Sequence, residues 1–98
     1  MAEKPIIWSE QALQELEDIL DFYNRRNRST IFSNKLLKLS EGVLDSSSKN
    51  EQLGRKAKRK NVRIFPLKYF LIIYEIKADR IEVLSFWDNR QNLKKRRF

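Results

Sequence analysis

Asn61-Val62-Arg63-Ile64-Phe65-Pro66-Leu67-Lys68-Tyr69-Phe70-Leu71-Ile72-Ile73-Tyr74-Glu75-Ile76, then Lys77-Ala78-Asp79-Arg80 and Ile81-Glu82-Val83-Leu84-Ser85-Phe86-Trp87, is the stretch that decides the fold. Val62 and Ile64 alternate with Arg63 and Phe65, the period of two expected of a strand. On that reading Arg63 projects from the strand opposite the core face. Pro66 has no backbone N–H to give to a ladder, which suits a strand end or an edge. Residues 69–76 form a nearly continuous β-rich run, as expected of a central strand. The four residues after it have the length of a hairpin connection. In the last strand, alternation puts Ile81, Val83 and Ser85 on one face and Glu82, Leu84 and Phe86 on the other.

Upstream the period changes. Ile6-Ile7-Trp8 is a short β-prone run. Ser9 is a candidate N-cap, and Glu10 follows at the positive end of a helix dipole. Leu13, Leu16, Leu20 and Tyr23 recur at helical spacing, widened by Ala12 and Ile19. Trp8 and Leu13 stand where a hydrophobic staple would form. Residues 24–29 read as a polar turn. A second helical stripe follows in Phe32, Leu36, Leu39 and Val43, with Leu37 and Leu44 beside it and Ser29 or Thr30 as its cap. So short a link predicts an antiparallel helical hairpin. Ser46-Ser47-Ser48-Lys49-Asn50 reads as a loop.

The expected class is therefore α+β, in the order βααβββ. A helical hairpin at about 9–46 packs on a small antiparallel-rich sheet at about 61–87, with a basic tail at 88–98. Ninety-eight residues fit one domain, 1–98, with a modest core.

Composition narrows the chemistry. Cysteine and histidine are both absent. That excludes disulfides, thiolate catalysis, iron–sulfur clusters and Cys-containing zinc sites. It also removes the side chain best suited to proton transfer near neutral pH. The only glycines, Gly42 and Gly54, cannot make a P-loop or a dinucleotide fingerprint. No apolar run has the length of a signal peptide core or a membrane span, so the expected location is cytoplasmic. No cofactor and no metal are expected. Glu15, Asp18 and Asp21 read as a solvated helix face.

The charge is concentrated. The net charge is +8, yet residues 1–48 carry six Lys/Arg against eight Asp/Glu, and residues 49–98 carry fifteen against five. Such asymmetry points to an anionic partner for one face. Its densest segment is Gly54-Arg55-Lys56-Ala57-Lys58-Arg59-Lys60-Asn61-Val62-Arg63, with six cations in ten residues. Arg55, Lys56, Lys58, Arg59 and Lys60, with Lys68 farther on, are candidate phosphate contacts. Trp87 is a candidate base-stacking residue, or it closes the core or meets a protein partner. Arg63 and Arg90 are candidates to line one concave surface and stabilise charge on a transferring phosphate.

Together these features resemble the RelE/ParE superfamily, the toxins of type II toxin–antitoxin modules. The resemblance rests on the element order, the Gly54-Arg55 loop, Asn61-Val62-Arg63-Ile64, the strand from Tyr69 to Ile76, and Ile81 through Asp88-Asn89-Arg90-Gln91-Asn92. It implies a small antitoxin whose C-terminal segment covers the active surface. It also implies one of two activities. RelE-like members cleave messenger RNA on the ribosome, and ParE-like members inhibit DNA gyrase without a nuclease site. Arg63 and Arg90 match basic positions of the family, and Glu51 matches loosely the glutamate base of the YoeB-type branch. Leu71 stands where RelE-like nucleases often have arginine, and the C-terminal histidine of the YoeB branch is missing.

The leading expectation is ribosome-dependent mRNA cleavage by a metal-independent endoribonuclease. The RNA 2′-hydroxyl would attack, with Glu51 or a lysine as base and Arg63, Arg90 and Lys58 stabilising the phosphorane-like charge. The alternatives are a gyrase inhibitor and a non-toxic nucleic-acid-binding module.

Overall fold

The apolar strand at the centre of the sequence argument is also the centre of the sheet. In the computed structural model, which describes residues 4–50 and 53–88, the elements are β1 (Ile6–Trp8), α1 (Glu10–Asn27), α2 (Ile31–Lys49), β2 (Arg55–Lys56), β3 (Val62–Leu67), β4 (Phe70–Ile76) and β5 (Ile81–Asp88). The five strands run in the order β1-β5-β4-β3-β2. All neighbours are antiparallel except β1, which lies parallel to β5. Two helices packed on a five-stranded mixed sheet make the α+β class that the sequence predicts. The expected order βααβββ lacks one element, the two-residue strand β2. Arg55 and Lys56 carry no apolar pattern, and only pairing with β3 makes them a strand.

β4 is buried on both faces, which explains its unbroken apolar run. Phe70 and Ile72 join the cluster formed with the helices, while Leu71 and Ile73, on the other face by alternation, are also buried. Tyr69 was expected in this strand but belongs to the two-residue Lys68-Tyr69 turn, because Leu67 pairs directly with Phe70. Pro66 lies inside β3 rather than at its end. It is tolerated there because β2 pairs only with Arg63 and Ile64, leaving the edge beyond them open.

Strict alternation fails in β5. Ile73 pairs with Ser85 and Tyr74 with Val83, so Leu84 is an extra residue in the ladder. The bulge lets Val83 and Phe86 enter the same helix-facing cluster, although they are three residues apart. It also presents Ser85 Oγ and Phe86 N as donors to Glu15 Oε1 at 2.6 and 3.2 Å. Glu15 is therefore a tie between α1 and β5, not part of a solvated face. Asp18 and Asp21 do make only exposed contacts, with Gln14 and Arg25.

Ser9 caps α1 as expected, its Oγ accepting from Ala12 N at 3.0 Å. The helix runs to Asn27, through most of the expected polar turn, and ends on Arg28 in the left-handed region, φ 50°. Its buried residues are Ala12, Leu16, Ile19 and Tyr23. Leu13 is 43% exposed, and Trp8 stacks on Phe86 instead of closing a staple over it. In α2 the buried line is Ser33, Leu36, Ser40, Leu44 and Ser47, while Leu39 stays exposed. Three serines were invisible to a search for apolar periodicity. Ser40 Oγ satisfies itself on Leu36 O at 2.8 Å, and Ser33 Oγ donates to Asn24 Oδ1 across the hairpin. The serine run read as a loop is the last turn of α2. Ser47 is fully buried, and Ser48 Oγ donates to Lys4 O at 2.6 Å. The helix start is held by Ser29, whose Oγ accepts from Ile31 N at 3.2 Å.

Candidate functional site

The basic segment folds into a shaped turn. β2 pairs with β3 through Arg55–Ile64 and Lys56–Arg63. Between them, Ala57 N donates to Val62 O at 3.0 Å, and Val62 N to Arg59 O at 3.2 Å. Asn61 closes the turn at φ 64°, a conformation asparagine tolerates better than most residues. Its carbonyl accepts from Ile76 N at 2.8 Å, which ties the turn to the end of β4. Arg59 adds an ion pair to Glu75 at 3.7 Å.

Inside this curl lies a concavity of about 510 Å³ lined by Lys56, Ala57, Lys58, Arg59, Lys60, Asn61, Val62, Arg63 and Ile76. Five of these nine residues are cationic. The turn is thus a positive basin with a fixed backbone, and at close range its potential favours anions.

Arg63 is half-buried, whereas the other four cations of the basin are exposed. It was expected opposite the core face, but it shares its side of β3 with Leu67, which is in the helix-facing cluster. Its register partner Tyr74 is fully buried. Arg63 Nη1 donates to Gly54 O at 3.1 Å, and Gly54 N donates to the Tyr74 hydroxyl at 2.9 Å. Gly54 is gripped from both sides. A Cβ there would lie 2.9 Å from the Tyr74 hydroxyl oxygen and 3.0 Å from Arg63 Cβ. Close approach, not a positive φ, is what requires glycine.

The remaining candidates are dispersed. Arg55 pairs with Ile64 and so lies off the basin, on the other side of the strand from Lys56. Lys68 is at the far end of β3, in the hairpin turn. Trp87 pairs with Leu71 on β4, and its Nε1 is buried without a hydrogen-bond partner among the described residues. That placement fits the expected closure of apolar surface. Glu51 and Arg90, and the tail beyond Asp88, lie outside the described residues. Asp88 accepts from the buried Tyr23 hydroxyl at 3.0 Å. Glu82 pairs with Arg80 at 3.5 Å. Sequence reasoning placed Tyr74 in the central strand but missed its hydroxyl. The available signal was a phenol inside an apolar strand, which needs a polar partner when buried.

Among the described residues no group of three His, Cys, Asp or Glu side chains is placed to hold a metal. No described helix is long and apolar enough to cross a membrane.

Residues 6–93 match the family described as the ParE toxin of type II toxin–antitoxin system, parDE. The chain belongs to this ParE toxin family. Two solved structures share the fold. A chain of the chromosomal ParDE TA system from P. aeruginosa is 22% identical, with a TM-score of 0.58. A chain of the YoeB dimer from Staphylococcus aureus is 18% identical, with a TM-score of 0.61. Each alignment covers 86% of this chain and 94% of the other. Among curated proteins no sequence relative is detected. A ParE toxin is one half of a module, so membership implies an antitoxin partner.

Proposed function

We propose that this ParE-family toxin arrests growth in the cytoplasm by binding and inhibiting DNA gyrase, not by cleaving RNA. The observation that carries this reading is the grip on Gly54. Arg63 is the described residue of the expected catalytic set, and its guanidinium supports the Gly54 carbonyl. The Tyr74 hydroxyl supports the Gly54 N–H. Both side chains thereby hold the basic turn against the sheet, which is a structural task. The match to ParE over residues 6–93 points the same way.

Purified toxin should abolish supercoiling by gyrase, and induced expression should leave ribosome-bound messages intact. Undisturbed supercoiling at excess toxin would remove the reading. Ribosome-dependent mRNA cleavage is the second reading. The basic basin favours it, as a surface able to stabilise phosphate charge, with Glu51 as base and Arg63 and Arg90 as charge stabilisers. Fresh cuts in ribosome-bound messages, with supercoiling unaffected, would put it first. In both cases the antitoxin's C-terminal segment is proposed to cover the basic face. Co-expression of that segment should restore growth, and loss of charge in the 55–63 segment should weaken the rescue.

A further inference from the structure

We propose that the 56–63 turn is a binding site for the phosphodiester backbone of duplex DNA, used independently of any protein contact with gyrase. Three observations carry this. The basin brings Lys56, Lys58, Arg59, Lys60 and Arg63 around one concavity of about 510 Å³. Lys58 and Lys60 are exposed and make no ion pair with any described residue, so their charge is available to a ligand. The backbone carrying them is fixed by the Ala57–Val62, Val62–Arg59 and Ile76–Asn61 hydrogen bonds, so little order has to be gained on binding.

The lining also selects the form of the ligand. Its apolar members are Ala57, Val62 and Ile76. None is aromatic, and the two guanidiniums that could stack on an unpaired base are already engaged, Arg59 with Glu75 and Arg63 with the Gly54 carbonyl. Lysines and arginines without a stacking platform suit a duplex, whose bases are already stacked and whose surface presents phosphates. Binding should be salt-steep and indifferent to sequence.

The test is fluorescence anisotropy of the full chain with a labelled 25-base-pair DNA duplex and, separately, a 25-nucleotide single-stranded RNA, each titrated with salt and without gyrase. The duplex should bind more tightly. Lys58→Gln with Lys60→Gln should weaken duplex binding about tenfold or more near 100 mM salt and flatten its log–log salt slope by roughly 2, about one unit per lost phosphate contact. The double Lys→Arg variant should keep both, since each arginine still neutralises a phosphate. Both pairs of substitutions are at exposed positions, and an unchanged melting temperature checks the fold. An unchanged slope in the Gln variant would overturn the proposal. So would tighter binding of the RNA, or a slope that disappears only when Lys94, Lys95, Arg96 and Arg97 are neutralised. Because gyrase is absent, failure here leaves the gyrase reading standing, and failure of that reading leaves this result intact.

Discussion

The two ends of β3 solve the same problem in different ways. Each must turn the chain, and each does so with a non-glycine residue in the left-handed region: Asn61 at φ 64° on the basic end, Lys68 at φ 57° at the hairpin tip. The tip is then anchored by apolar packing. Phe70, next after the turn, meets Tyr23, Phe32 and Phe86 at ring-centroid distances of 6.1, 6.3 and 5.8 Å. The basic end has no aromatic cluster. Beside the buried Val62, it is held by polar contacts on Gly54 and by the Ile76–Asn61 backbone hydrogen bond to β4. The difference teaches why this end can carry the charge. A cluster of rings would take up positions that the cations occupy, whereas hydrogen bonds to backbone leave the lysines exposed.

Urea unfolding of point variants can break this comparison. The largest effect should come from Phe70→Ala at the tip. It removes a fully buried ring and leaves a cavity, and should cost about 3–5 kcal/mol. If it costs less than Gly54→Ala, the tip is not the apolar anchor. Gly54→Ala should cost about 1–3 kcal/mol, because the new methyl meets the buried Tyr74 and Arg63 Cβ with no room to retreat. Tyr74→Phe should also cost about 1–3 kcal/mol by leaving the Gly54 N–H without its partner. A double-mutant cycle between these two positions should show strong coupling, since they touch. Additivity there would mean that the polar grip does not act as a unit.

Smaller effects sharpen the contrast between the turns. Lys68→Gly should stabilise by about 1 kcal/mol, because a side chain at positive φ is strained and glycine is not. Asn61→Gly should change stability by less than about 0.5 kcal/mol, because asparagine already tolerates this conformation. Equal gains at the two positions would show that residue type does not distinguish them.

Reading the sequence worked where one-dimensional pattern matches three-dimensional environment. The nearly continuous β-rich run of β4 read as a central strand and is one, and Ser9 was legible as a cap because its hydroxyl acts on a residue three positions away. It failed where burial is decided by small or polar residues. Ser33, Ser40 and Ser47 set the buried line of α2, yet each looks like a surface residue in isolation. The candidate site divides in the same way. The cationic composition of residues 54–63 was plain, but its curl into a basin depends on pairing with β3 and β4.

By itself, then, the sequence determined the class of fold, the apolar centre of the sheet, the segregation of positive charge into the second half, and the features that mark a RelE/ParE-type toxin. These are properties of local pattern and composition. Only the tertiary structure decided that β5 bulges at Leu84, so that Val83 and Phe86 share one core. It alone turned Arg63 toward the helix-facing side and placed Gly54 between Arg63 and Tyr74. Those contacts join residues 9 and 20 positions apart in the chain. No local rule specifies which distant groups will meet, because that depends on strand register, and register is fixed only when the whole sheet is assembled.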